Sequence, residues 1–382
     1  MPRRVDGDAR GFGFGTVIEM KDEGFSGSYR EEEVNFLMRR LRLDTTPLVE
    51  RERLIQSGQR HYSEMIGPED APSRERMRLF RDCLTTNGDR MAAGICALAE
   101  AMAASVSGGE LTVVSIARAG TPVGVLLWHR LQEAFPGIRS KHFSISVIRD
   151  RGVDFAALRK IMETHSPESL RFVDGWTGKG TIAEELRGSI SGWCEAPSGL
   201  RSGLWVPLDV CGAAEFAATS LDYLIPSTLL GGTLSGLVSR SVLPQGEENS
   251  GEFHGCVPLN SLRRYDLSRW FIGEMMGRIR KIPVRRISPA NASGGLARRE
   301  ETCRCLDDML DRHGHMDRNR IKLGIGETVR VLLRRKPYRV FLNPTANPDD
   351  SDLIRRLAAL REVPLEWEPE IPFAAIAAIA DA

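Results

Sequence analysis

Leu170-Arg-Phe-Val-Asp-Gly-Trp-Thr-Gly-Lys-Gly-Thr181 is the stretch from which the rest of the chain can be read. Phe172 and Val173 end a short apolar run that reads as a buried strand, and Asp174 follows it. Small residues then run through Thr177, Gly178, Lys179, Gly180 and Thr181, and residues 182–186 open a helix. A strand, an acid, a Gly/Thr loop and a helix start make a cradle for an anion. Backbone N–H groups of the loop and first turn point at the ligand, and glycine lets the backbone come close. Lys179 adds a point charge and the threonines add hydroxyl donors.

Working outward, the β-branched run at 111–116 reads as a buried parallel strand, with a turn at 117–122 and an apolar helix at 123–131. A second strand at 142–148 leads into a charged loop at 149–154, and a helix follows at 156–165. Residues 204–208 are another strand, with a helix expected from Ala213 and a short fifth strand at 223–226. Alternating strands and helices predict a doubly wound, mostly parallel α/β sheet. Ligands of such sheets bind beyond the carboxyl ends of the strands. Arg118, Arg149, Asp174 and Asp209 all fall there.

The chain has 382 residues, enough for two or three domains, and 42% are hydrophobic, enough for real cores. A net charge of +1 commits the protein to neither nucleic acid nor membrane. No apolar run is long enough to span a bilayer, and the first residues lack the apolar core of a signal peptide. Seven scattered cysteines favour a reduced, cytoplasmic protein. The glycines at 11–15 lack a preceding strand and are weak as a nucleotide fingerprint. Residues 57–65, dense in hydrogen-bonding groups, read as a capped helix junction or as one wall of a site. Residues 231–241 read as a connector or as a second anion-facing wall carrying Arg240. Arg278, Arg280, Lys281, Arg285 and Arg286 form a basic cluster.

The expected organisation is a helical N-terminal region at 1–108, a sheet domain at 109–286, a linker at 287–297 and a C-terminal unit at 298–382. In the last of these, a Gly-rich turn at Gly324 and Gly326 opens a helix carrying Glu327 and Arg330, a strand is expected at 338–342, and an apolar helix at 373–379. A glycine-bearing helix start on a basic face suits RNA contact.

The order of elements resembles type I phosphoribosyltransferases. That resemblance implies pyrophosphate binding by Ala119 and Gly120 with Arg118, a basic hood at 141–154 carrying Arg149, and a phosphoribose loop from Asp174 to Thr181. It implies phosphoribosyl pyrophosphate as substrate and Mg²⁺ as cofactor, held by Asp174 or Asp209, with a base-like acceptor. Gly175 stands where that family carries a second acid. Together with residues 25–29, 57–65 and 235–240, the loop looks like a bacterial family of tellurite-resistance and stress-response gene clusters. That family is described as an orotate-phosphoribosyltransferase-like domain followed by a Pelota-type RNA-binding domain. RNA contact through Gly324, Gly326, Glu327 and Arg330 is then implied, no membrane is, and a homodimer is compatible. The family also carries the label StiP-type cysteine protease.

Under that second label Cys211, after a strand end, is the nucleophile to consider, with His254 as its base. A helix starting at Ala213 would lower its thiol pKa. Buried, inert cysteine is the commoner fate beside a strand. A third reading is a non-catalytic, ligand-sensing RNA-binding regulator. Cys303, Cys305, His313 and His315 have no usual zinc spacing and read as a helix with histidines near its C-terminus.

Overall fold

The chain begins with β1 (Asn35–Phe36) and β2 (Arg39–Arg40), then α1 (Leu48–Gln56) and the long α2 (Arg74–Ala104). Ser73 caps α2 by accepting the Arg76 N–H at 3.1 Å. Leu84, Met91, Ile95, Leu98 and Met102 recur at helical spacing and are all buried, so one face of α2 lies on the core. Then come β3 (Glu110–Ile116), α3 (Gly120–Ala134), β4 (Arg139–Ile145) and the hairpin of β5 (Val147–Ile148) and β6 (Gly152–Val153). They are followed by α4 (Phe155–Met162), β7 (Leu170–Val173), α5 (Thr181–Ser191), β8 (Leu204–Leu208) and β9 (Phe216–Thr219). This is a computed structural model describing residues 24–247, 250–285, 295–313, 318–335 and 337–379. The glycines at 11–15, Arg286, most of the 287–297 linker and His315 lie outside the described residues, as does the side chain of His313.

One six-stranded sheet has the order β1-β4-β3-β7-β8-β9, and every neighbouring pair is parallel. Its middle strands are continuous apolar runs because both faces are covered. One face packs on α2 and α3, the other on α4 and α5, as the two core clusters show. β1 comes from the N-terminal stretch, which is therefore part of the sheet and not only helical. β10 (Gly255–Cys256) pairs with β2, and α6 (Ser268–Ile279) returns to α2.

The C-terminal unit comprises α7 (Gly295–His313), β11 (Ile321–Leu323), α8 (Gly324–Arg334), β12 (Pro337–Leu342), α9 (Pro348–Leu360), β13 (Leu365–Trp367) and β14 (Ala375–Ile379). Its four strands have the order β11-β14-β12-β13, with β14 antiparallel to both neighbours. The apolar helix expected at 373–379 is thus a strand. Alanine-rich sequence favours helix, but pairing on both sides decides.

Three further expectations give way. Residues 213–220 hold the edge strand β9 and no helix; Phe216 stacks on Trp205 with centroids 4.9 Å apart. Residues 223–225 are not a strand; they pass into a 3-10 turn at Pro226–Leu229, buried under α2. The turn expected at 117–122 is cut short because α3 begins at Gly120.

Candidate active site

The loops after β3, β4, β7 and β8 share one edge of the sheet, as its parallel order requires. Asp209, directly after β8, builds the last of these. Its Oδ1 accepts the Cys211 and Gly212 N–H groups, each at 2.9 Å, and its Oδ2 accepts the Ala214 N–H at 2.7 Å. The Thr177 hydroxyl also donates to Oδ1. A buried carboxylate with four donors fixes the loop far more firmly than turn residues alone.

That loop presents Cys211. Its Sγ lies 3.3 Å from Asp209 Oδ1 and 3.6 Å from Thr177 Oγ1. Gly180 caps α5 with a φ of 82°, a conformation natural to glycine. A side chain there would come within 3.4 Å of the Cys211 sulfur, so the positive end of α5 faces the thiol. The helix start beside Cys211 is therefore α5, not the one expected at Ala213. Burial and, next, the Asp209 charge push the thiol up to about 12.

His254 is elsewhere. Its Nδ1 bonds Ser146 Oγ at 2.8 Å and its N–H donates to Asp154 at 2.6 Å. Burial, then Arg39, takes its pKa down to about 4. Ser146 follows β4 and Cys211 follows β8, three strand spacings apart, roughly 14 Å. The structure does not bring Cys211 and His254 together.

The cradle residues are engaged within the chain. Asp174 Oδ1 accepts the Gly175 N–H at 2.7 Å. A Cβ at Gly175 would meet Ala119 O at 3.0 Å, so the position has little room for a second acid. Lys179 donates to Arg318 O. Arg118 pairs with Glu69 and bonds Val238 O at 3.3 Å. Arg149, exposed on the hairpin, pairs with Asp150 at 2.9 Å, and its N–H meets the Tyr62 hydroxyl. Arg240 braces the 57–65 segment through the Tyr62 and Met65 carbonyls, a strut in place of an anion-facing wall. Of the two acids implied for magnesium, Asp209 gives both oxygens to its own loop and Asp174 gives Oδ1 to the Gly175 N–H.

Two residues without a sequence signal close the edge. Trp176 lies beside Gly326 of α8, where a side chain would be 3.3 Å from the indole nitrogen. Asp222 Oδ1 accepts the Ile325 N–H at 3.0 Å, and its Oδ2 accepts the Ala374 N–H at 3.1 Å. Nothing local marks either, because their partners are more than a hundred residues away. Of the residues expected to meet RNA, Gly324, Gly326 and Glu327 are turned to this seam, while the Arg330 side chain is exposed and pairs with Glu327 at 2.6 Å.

Burial pushes Asp174 and Asp222 each up to about 7. Both then hold a proton in the folded chain that the unfolded chain has released above pH ~4. Stability is therefore expected to fall as pH rises from about 4 to 7, by roughly 4 kcal/mol for each of the two groups, and to level off above. Urea midpoints at successive pH values read this directly; a midpoint that climbs over that interval contradicts it.

Comparison with known proteins sets these features in a family. Residues 27–276 match the family described as tellurite-like stress resistance cysteine protease StiP, and residues 300–381 match the PELOTA RNA binding domain. A protein of Acinetobacter baylyi (strain ATCC 33305 / BD413 / ADP1) named cysteine protease StiP is 38% identical over 357 residues, covering 90% of this chain and 91% of its own length. No solved structure matches. These matches overturn the phosphoribosyltransferase reading, and with it phosphoribosyl pyrophosphate as the substrate. No described helix is long and apolar enough to cross a membrane. With a family match over more than half its length and a relative aligned almost end to end, the chain belongs to the StiP family.

Proposed function

We propose that the chain is a cysteine protease whose nucleophile is Cys211, joined to an RNA-binding unit. The observation that carries the reading is the seat of the Cys211 sulfur, between the Asp209 carboxylate and the first turn of α5 at the carboxyl edge of the sheet. The name of the 38% identical relative supports the same chemistry.

In this reading Asp209 Oδ1, 3.3 Å from the sulfur, is the nearest proton acceptor, and Thr177 steadies the sulfur from the side. The start of α5 favours the thiolate. The thiolate attacks a peptide carbonyl carbon; a carbon–sulfur bond forms, the carbon–nitrogen bond breaks, and the amine leaves with a proton. Water then hydrolyses the thioester and restores the thiol. His254 takes no part, since its ring is committed to Ser146. The buried thiol is far from ionised, so the step needs an opening that admits water and substrate and relieves the burial. The C-terminal unit binds RNA through the start of α8, with Arg330 as the phosphate contact.

Unfolded casein and a fluorogenic peptide library, given to the parent and to Cys211→Ala, test the nucleophile. The expected loss is about a thousandfold or more. Parental proteolysis in the variant would move the nucleophile to another cysteine.

A further inference from the structure

The seam between the two units covers two things at once. On one side is the start of α8. Gly324 sits beside the Asp222 carboxylate, Gly326 beside Trp176, and Glu327 against Gly178, where a side chain would be 2.8 Å from its Cγ. On the other side is the thiol. The backbone of Gly295 and the Arg298 side chain lie over Gly212, and Arg299 lies over Gly180, the two glycines that flank Cys211 in space. Cys211 itself is 1% exposed. Between the units, a cavity lined by Thr177, Val210, Asp222, Gly324 and Glu327 amounts to about 10 Å³, room for roughly one water. Cys211 also packs in the sheet domain's own core with Leu186 and Ala213, so the seam is the outer of its two coverings.

The Asp222 contact shows what holds it. The first N–H groups of a helix have no partner within the helix and attract anions. Here the Asp222 carboxyl group of the other unit already takes the Ile325 N–H, and the same group takes the Ala374 N–H from the C-terminal sheet. Ion pairs add to the closure at the rim, Arg335 with Glu52 at 2.8 Å and Arg299 with Glu184.

We propose that this seam is an autoinhibitory contact that RNA releases. Asp222 occupies the face of α8 that an RNA backbone would take, and the same closure shuts Cys211 in. RNA on α8 and the closed seam then exclude one another, so RNA draws the chain toward the open form by its preference for that form. The apolar seam residues exposed on opening, Trp176 and Leu323 among them, set the cost that RNA binding must offset. The inference rests on the protease reading only in treating the covered thiol as the nucleophile.

The test uses the full chain, Asp222→Ala, and the double variant Glu52→Ala/Glu184→Ala, which changes only surface groups. Two quantities are read: affinity for a fluorescent random-sequence RNA pool, and the rate at which iodoacetamide labels Cys211, followed by peptide mass. Both variants are expected to bind RNA more tightly than the parent, Asp222→Ala by roughly tenfold, and saturating RNA is expected to speed Cys211 labelling in the parent by a similar factor. Unchanged RNA affinity in both variants overturns the proposal, as does RNA that binds without altering the labelling rate, or a chain that binds no RNA in any form. If Asp222→Ala does not fold, the double variant decides alone. Proteolysis surviving in Cys211→Ala would remove the nucleophile assignment and leave these two readouts standing.

Discussion

Asp209→Ala is expected to cost about 4 kcal/mol of folding stability and to release the loop that holds Cys211. Three backbone N–H groups and the Thr177 hydroxyl end on that carboxylate, and the side chain is 4% exposed. Hydrogen bonds to a charged acceptor contribute roughly 1.5–3 kcal/mol each, and donors left buried without a partner cost more than the bond was worth. Because the four share one acceptor they do not add, hence a figure well below their sum. Asp209→Asn keeps the shape but turns a donor toward the loop's own N–H groups, so about half the loss is expected. Urea denaturation measures both. A second readout separates structure from chemistry. The Asp209 charge is the largest cause after burial of the raised thiol pKa, so in Asp209→Asn the labelling profile of Cys211 should shift to lower pH. An unmoved midpoint in Asp209→Ala would show that the loop is held by something else.

Glu100→Ala is expected to cost about 3–5 kcal/mol, since it strands a buried arginine. Glu100 and Arg130 are 4% and 5% exposed, and the Glu100 Oε1 to Arg130 Nη2 distance is 3.5 Å. Arg130 also donates to Ile282 O at 3.1 Å, and Glu100 Oε1 accepts the Arg285 N–H at 2.9 Å. The pair therefore ties α2 and α3 to the chain just after α6, the last described residues before the C-terminal unit. Losing Glu100 should loosen that anchor as well as the core. A double variant, Glu100→Leu with Arg130→Met, is expected to recover most of the loss, since two apolar side chains of similar volume need no partner. Thermal unfolding of the three variants would settle it: a double variant as weak as Glu100→Ala sinks the argument.

The sheet was legible where local chemistry and tertiary pairing agree. The 204–208 strand agrees to the residue, and the helix expected from 182 after the Gly/Thr loop starts one residue earlier, at Thr181. It was illegible where they disagree. The alanines at 213–218 and 374–378 favour helix, and both stretches became or entered strands because a neighbouring strand's hydrogen bonds outweigh a propensity of a few tenths of a kcal/mol per residue. The site shows the same division. Cys211 is marked by its place after a strand, and the structure sets Asp209, expected to hold a metal, beside its sulfur, while His254, expected as its base, lies three strand spacings away. The placing of α7 over the two glycines beside the thiol depends on contacts more than eighty residues apart and leaves no mark in any short window.

The high thiol pKa has a consequence for survival. Oxidants attack the thiolate, and attack follows both ionisation and access. Cys194 and Cys303 are exposed, whereas Cys211 is covered and held far from ionisation by its burial and by Asp209. In a cell under oxidative insult, the two surface thiols would be spent first. The inner one would stay reduced for as long as the two units stay together.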